Sequence, residues 1–239
     1  MAFKTFFNWS TGKDSALALY SLLQDPSYSV DQLFTTISMD SNRVSMHGIQ
    51  RDLLLKQASQ IGLPLSILEL PEQTSMQVYD QLMQTTLVEK KKQGFTHAGF
   101  GDIFLEDLRT YRESKLESIG LQAHFPLWKI DSLKLMHKFI DLGFKAITVA
   151  VNAKVLDKTM VGKEIDEDFL QLLPLGVDPC GENGEFHTFV YDGPIFKKPV
   201  EFIIGDKVLR TYSSPNSKED KDHQRSWDDS FWFCDLSVK

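Results

Sequence analysis

The chain has 239 residues, 42% hydrophobic and 25% charged, a composition that excludes a disordered or fibrous protein and suits a globular one with its own core. Lys and Arg number 26 against 33 Asp and Glu, and the resulting charge of −7 disfavours general nucleic-acid binding, which needs clustered positive charge. Two cysteines, Cys180 and Cys234, cannot build a disulfide framework or a four-thiolate zinc site, and no apolar run nears the roughly 18 residues of a bilayer span, so a cytoplasmic protein without membrane anchoring is expected.

Phe3 to Trp9 reads as a first strand. After the Ser10–Ser15 turn, Ala16, Leu17, Leu19, Tyr20 and Leu23 recur at helical spacing until Asp25-Pro26 stops the helix. A second strand is expected from Gln32 to Met39, a second helix from about Ile49 to Ile61, closed by Gly62 and Pro64, and a third strand from Leu65 to Leu70. A third helix spans Ser75 to Gln93, with Lys90, Lys91 and Lys92 read as a solvated face near its end. A fourth strand from Thr96 to Gly101 and a fourth helix from Glu106 to Ile119 complete four βα units, which predict an α/β fold with a doubly wound parallel sheet.

Beyond this block the pattern changes. Phe125-Pro126-Leu127-Trp128 leads into a helix near Ser132 to Leu142, a strand from Lys145 to Val151, a polar loop from Asp178 to Glu185 and a strand from Phe186 to Tyr191. Two more β-rich runs, Val200 to Thr211 and Phe231 to Val238, flank the polar stretch Tyr212 to Ser230, which reads as a mobile solvated loop. The expected organisation is an N-terminal domain over 1–124 and a smaller mixed α+β C-terminal domain over 125–239.

The most informative residues are Ser10-Thr11-Gly12-Lys13-Asp14-Ser15, between the first strand and the first helix. In an open α/β sheet ligands sit beyond the carboxyl ends of the strands, where a helix N-terminus offers N–H groups and a positive dipole end to phosphate. Gly12 allows close backbone approach, Lys13 adds charge, and Ser10, Thr11 and Ser15 add hydroxyls, so the turn fits a polyphosphate. A Walker A loop fails because Asp14 stands where Ser or Thr should bind magnesium and Phe7 where the first Gly should be, and the glycines of a dinucleotide fingerprint are missing. The plain alternative is a Ser/Thr/Gly turn with an N-cap. Between Asp178 and Thr188, three carboxylates, an amide, an imidazole and a hydroxyl crowd together, for which a solvated acidic loop is the plain alternative. Zinc on Cys180 and His187 is a poor reading, since no C-x-x-C or H-x-x-x-H spacing accompanies them.

The strand–S-x-G-K-D-S–helix arrangement resembles the PP-loop of the N-type ATP pyrophosphatases, the adenine nucleotide alpha hydrolase group, whose motif reads S-G-G-K-D-S. Met46-x-Gly48 with His47, Gly101-Asp102-Ile103 through Arg112 and Glu113, Phe125-Pro126-Leu127-Trp128, and above all Gly181-Glu182-Asn183-Gly184-Glu185-Phe186-His187-Thr188 sharpen the resemblance toward the diphthine–ammonia ligase family, in which the last string reads G-E-N-G-E-F-H-T. The resemblance implies an adenine nucleotide alpha hydrolase-like fold and an ATP-dependent carbon–nitrogen ligase. In such enzymes a substrate carboxylate attacks the α-phosphorus of ATP, pyrophosphate leaves into the loop, and ammonia displaces AMP, and the resemblance implies the same here.

It implies that Ser10, Thr11, Gly12, Lys13, Asp14, Ser15, Ser38 and His47 bind the nucleotide, with Lys13 and Asp14 also catalytic and magnesium on Asp14 or Asp102. For Asp102 a helix N-cap ahead of Phe104 is the alternative, and for His47 a capping or surface histidine. Glu182 and Glu185 are expected to hold ammonium or act as bases, His187, with an ordinary pKa near neutrality, to shuttle a proton, and Asn183 and Thr188 to orient the substrate. Arg112 and Glu113 contact the substrate or form an exposed ion pair. The expected partners are ATP, ammonium and a carboxylate-bearing acceptor, a modified protein side chain among the candidates, with a homodimer left open.

Two departures stand out: Thr11 replaces the family's first loop Gly, which is tolerable if φ there is below zero, and Asp102 stands where the family reads Ala. With Phe104 to Arg109 in place of the family's S-x-Y-Q segment, the sequence leaves open whether the acceptor is diphthine or another carboxylate. The rival functions are a nucleotide-binding protein without turnover, which has no need of the acidic string, and a sulfur- or sulfate-metabolising PP-loop enzyme, for which no recognised cysteine motif is present.

Overall fold

A computed structural model describes residues 2–45, 47–71, 74–212 and 229–239. In chain order, β1 is Phe3–Asn8, α1 Lys13–Leu23, β2 Tyr28–Ser38, β3 Arg43–Val44, α2 Arg51–Ile61, β4 Leu65–Leu70, α3 Met76–Lys92, β5 His97–Gly99, α4 Glu106–Glu117 and β6 Gln122–His124. There follow α5 (Ser132–Asp141), β7 (Lys145–Asn152), α6 (Glu167–Leu172), β8 (Phe186–Asp192), β9 (Phe202–Tyr212) and β10 (Asp229–Val238).

Five strands pair in parallel in the order β4-β2-β1-β5-β6, and the short β3 adds antiparallel to the end of β2. The chain steps outward from β1 to one side, then returns to β5 and β6 on the other, which leaves a crevice beyond the carboxyl ends of β1 and β5. Side chains alternate across this sheet: Phe6 and Phe34 pack with Leu87 and Leu116 of α3 and α4, whereas Phe7 and Leu33 pack with Leu17 and Leu53 of α1 and α2. Helices therefore cover both faces, as expected of a doubly wound sheet.

A second, antiparallel sheet has the order β8-β7-β10-β9. Its Ile147, Val149, Phe186 and Phe189 join the cluster that holds α1, so α1 lies between β2 and β5 on one side and β8 on the other. That enclosure explains why α1 buries Ala16, Leu17, Ala18, Leu19 and Leu22 around its circumference rather than along one stripe.

Several elements differ from expectation. β2 starts at Tyr28 rather than Gln32 because its first residues pair with the start of β1. β3, β6, α6 and a 3-10 turn at Lys158–Met160 went unpredicted, each too short to display a period. Lys90 is buried rather than solvated: its Nζ donates to Gln32 Oε1 and lies 5.9, 5.6 and 5.8 Å from the ring centres of Phe6, Phe34 and Phe95. The mobile-loop reading of Tyr212 to Ser230 falls, over 213–228, outside the described residues. Among the described residues no helix is long and apolar enough to cross a membrane.

Candidate active site

A cavity of about 1030 Å³ opens where β1 and β5 end and extends between α3 and α4. The turn after β1 forms one wall, and its backbone is unusual. Thr11 has φ of 76°, so the condition under which the replacement would be unstrained is not met, and its buried Oγ1 has no hydrogen-bond partner. A β-branched residue in that region stores roughly 1–2 kcal/mol and persists only where its surroundings over-determine it. Here they do: the Thr11 carbonyl accepts from Val190 N–H at 3.0 Å and from Gln57 Nε2 at 3.1 Å. Gln57, fully buried, also donates to the Val190 carbonyl at 2.6 Å and accepts from Trp9 Nε1 at 3.0 Å. The strained turn is thus clamped from α2 and β8. Gly12 is required for space, since a Cβ there would lie 2.6 Å from His47 Cε1 and 3.2 Å from the Thr188 carbonyl. Gly101 is similar, because its Cβ would meet the backbone of Asp14 and Ser15 at 3.0 and 2.9 Å.

Gly12 has no side chain with which to cap α1, and the second sheet supplies one: Thr188 Oγ1 accepts from Lys13 N–H at 3.0 Å. Ser15 Oγ donates to the Gly12 carbonyl at 2.9 Å, and Ser10 Oγ donates to Ser15 Oγ at 3.0 Å. The Lys13 ammonium contacts both Asp14 carboxylate oxygens at 2.9 and 2.8 Å, donates to the Cys180 carbonyl, and lies 5.2 Å from the centre of the Phe186 ring. Burial is the largest single influence and opposes its charge, but Asp14, Cys180 and Glu182 together raise the net pKa, so Lys13 remains an ammonium.

Asp102 and Glu182 line the same cavity as Asp14, close enough for its charge to act on both. Burial raises the Asp102 carboxyl, with Asp14 adding to the shift and Arg112 opposing it. Arg112 Nε stands 3.2 Å from Asp102 Oδ2, but neither buried atom completes a hydrogen bond. Asp102 does not cap α4, which starts after Leu105 without a side-chain cap, so the N-cap alternative falls. Glu182 is pushed up to about 8, first by burial and then by the charges of Asp14 and Asp102, against the pull of Lys13.

The His47 and His187 rings lie 5.0 Å apart. Burial, together with the Lys13 charge, holds His47 down to about 4, even though its Nδ1 sits 3.2 Å from the Thr188 carbonyl. Burial and the charges of His47 and Lys13 hold His187 down to about 3. His187 therefore does not titrate near neutrality as expected; it is a neutral imidazole there.

Among the expected nucleotide and metal residues, Ser10, Lys13, Asp14, Ser15, His47 and Asp102 line the cavity. Glu182, His187, Thr188 and Arg112 join them from the second half of the chain and from α4. Thr11 and Gly12 shape the turn from behind the wall, and Ser38 sits beyond it, where its Oγ accepts from Ser41 N–H at 3.4 Å. Glu113 lies off the wall in an ion pair with Arg109 at 2.7 Å. Glu185 and Asn183 also lie off it. The buried Glu185 carboxylate accepts from Asp178 N–H at 3.0 Å, Asn183 N–H at 2.9 Å and Asn183 Nδ2 at 3.0 Å, which ties the loop together behind the cavity. The Cys180 thiol is raised by burial and donates to the Ser132 carbonyl at 3.4 Å, and no group of three or more His, Cys, Asp or Glu residues is placed to hold a metal among the described residues. Tyr79, Asp80, Tyr111 and Lys115 line the cavity and were missed, because on α3 and α4 they read as ordinary solvent-facing residues.

The sequence profile of the diphthamide synthase N-terminal domain matches residues 3–123, and that of the C-terminal domain matches residues 131–236. The diphthine–ammonia ligase of Schizosaccharomyces pombe is 35% identical over 115 residues, covering 45% of this chain and 19% of that protein. The Bos taurus diphthine–ammonia ligase is 30% identical over 140 residues, 56% of this chain and 52% of that protein, and the Mus musculus one is 32% identical over 137 residues, 55% and 51%. The chain thus spans from 19% to 52% of the length of these relatives. Among solved structures, a U34-tRNA thiolase from Methanococcus maripaludis overlaps 59% of this chain and 58% of that chain at 16% identity and a TM-score of 0.39, a likeness too slight to bear on fold or function. On the match of both domain profiles, the chain belongs to the diphthamide synthase family.

Proposed function

We propose that the chain is an ATP-dependent amide-forming ligase, which adenylates a substrate carboxylate, releases pyrophosphate, and passes the acyl group to ammonia with release of AMP. The observation that carries this reading is the meeting, in one cavity, of the α1 N-terminus and Lys13 with the carboxylates of Asp14, Asp102 and Glu182. In this reading Lys13, Ser10, Ser15 and the first turn of α1 hold the β- and γ-phosphates. They are preorganised donors, so they stabilise the charge that develops on the departing pyrophosphate without reorganising during the reaction.

Magnesium fits the acidic side of the cavity. Asp102 Oδ2 is buried with only the Arg112 guanidinium at 3.2 Å and no completed hydrogen bond, and burial, with the charges of Asp14 and Asp102, raises Glu182. Asp14 and Asp102 would hold the ion, which when bound supplies positive charge to the polyphosphate. Glu182, pushed up to about 8, suits a base that, once deprotonated, takes a proton from the attacking nitrogen, so the step speeds up as pH rises through that range. Arg112 and Thr188 position the acceptor, and neutral His47 and His187 act as hydrogen-bond partners rather than proton stores. Glu185 and Asn183 serve by holding the Glu182 loop in shape. The reading assigns nucleotide chemistry to a domain ending near residue 124 and the Glu182 loop to the remainder, in a cytoplasmic enzyme.

The acceptor to try first is diphthine, after the activity named for the relatives. Purified protein with ATP, magnesium, ammonium and a diphthine-bearing protein is expected to yield AMP and pyrophosphate, with loss of both products in Lys13→Ala and a strong reduction in Glu182→Gln. ADP and phosphate as products would overturn the reading.

A further inference from the structure

The cavity has a second arm that phosphate chemistry does not use. Between α3 and α4 its floor is apolar, built from Phe6, Phe34, Met83, Leu87 and Leu116. At its rim Asp80 of α3 faces Tyr111 and Lys115 of α4, and all three line the cavity. Asp80 Oδ1 accepts from the Tyr111 hydroxyl, Asp80 Oδ2 accepts from Lys115 Nζ at 2.6 Å, and the same ammonium lies 5.3 Å from the centre of the Tyr111 ring.

A carboxylate on one side and an electron-rich ring face on the other is an arrangement that holds an ammonium group. The group seated there is the chain's own. Lys115 is 45% exposed on a flexible four-carbon stem, so its pairing with Asp80 is weak enough to be exchanged for a competing cation. The two partners keep their character: the Lys115 and Tyr111 hydrogen bonds hold the Asp80 carboxyl below its ordinary range, and burial and Asp80 raise the Tyr111 phenol, which stays protonated. A polyphosphate, being anionic, has no use for such a place.

We propose that Asp80 and Tyr111 form a subsite for an ammonium-type cation, with Lys115 occupying it until the ligand displaces the lysine. The ligand is either a cationic group carried by the acceptor or the ammonium that supplies nitrogen, an assignment that rests on the ligase reading above. The subsite itself is testable without turnover.

The experiment follows the methyl signal of Met83, on the floor of the same arm, in protein carrying ¹³C-methyl methionine, and Met83→Leu identifies that signal. Tetramethylammonium chloride, ammonium chloride and, as a salt control, sodium chloride are titrated in the absence of ATP. Lys115→Met is expected to bind one of the two cations saturably and roughly three- to fivefold more tightly than the unaltered protein, because its own competitor is gone. Lys115→Ala should behave likewise, and adding Asp80→Asn should abolish the response. A response to tetramethylammonium alone assigns the subsite to the acceptor's cationic group, and one to ammonium alone assigns it to the nitrogen donor. ATP affinity should be unchanged in Asp80→Asn. Absence of a saturable response in both folded Lys115 variants, or a clear loss of ATP affinity in Asp80→Asn, would overturn the proposal. Failure of the ligase reading shows separately, as ADP in the turnover assay.

Discussion

The two faces of the parallel sheet are both covered by helices but are packed differently. On one, α1 buries Lys13, Ser15, Ala16, Leu17, Ala18, Leu19 and Leu22, and the same core continues into the second sheet. On the other, α3 buries Leu87 and Lys90, α4 buries Leu116, and the cavity extends beneath them. The dense face can hold a strained turn at Thr11 because α2 and β8 both fix it, whereas the loose face leaves volume for ligands. Rigidity and space, both of which a site needs, are thus divided between opposite sides of one sheet.

Core truncation should expose the contrast most strongly. Leu19→Ala, at a fully buried position on the dense face, is expected to cost about 3–5 kcal/mol, while Met83→Ala on the loose face costs below about 1 kcal/mol, both read by urea unfolding. Equal costs would mean the faces are packed alike.

Gly12→Ala tests how tightly the turn is enclosed. Forcing a Cβ against His47 should cost about 1–3 kcal/mol and weaken ATP binding, and His47→Ala in the same chain should restore part of both, since the imidazole is the group that must move.

The pH dependence reports the burial of the site. His47 and His187 stay neutral in the native state where the unfolded chain binds protons, so their contribution is complete above about pH 6.5 and is lost as pH falls toward about 4 and then about 3. Glu182 has the opposite sign: the native state retains its proton above the ordinary carboxylate range, so stability falls as pH rises toward about 8. Melting temperature against pH should show both limbs, with His187→Gln flattening the acid one and Glu182→Gln the other. Activity should rise with pH through about 8 and lose that limb in Glu182→Gln.

Thr11→Val keeps shape and strain but removes a buried hydroxyl without a partner, and is expected to raise stability by about 1 kcal/mol. Thermal unfolding with and without ATP checks it; a loss of ATP affinity alongside would assign that hydroxyl to the liganded state. The smallest effect is expected at Lys90→Met, where one carboxamide oxygen and three rings now hold a buried ammonium. Replacing it with an apolar chain of similar length should change stability by no more than about 1 kcal/mol in urea unfolding.

Much of the architecture is legible in local pattern. The strand, turn and helix from Phe3 to Leu23, the bounds of α2 set by Gly62, and α3 between Ser75 and Gln93 follow from periodicity and capping. Lys90 was misread because it follows the sequence of a solvated helix end, while its burial depends on Phe6 and Phe34 from distant strands, together with Phe95 just beyond the helix. Glu185 and Glu182 illustrate the same limit at the site. Both are acidic and only three positions apart, yet one bonds to its own loop and the other faces the cavity.

By itself the sequence determined the parallel βα order, the phosphate-type turn at the end of β1 and the family to which the chain belongs, because spacing, glycine placement and motif letters are local properties. The tertiary structure decided the positive φ of Thr11, the capping of α1 by Thr188, the neutral histidines and the raised Glu182. Each depends on what distant segments place around a residue, and burial and charge proximity are not written in neighbouring letters.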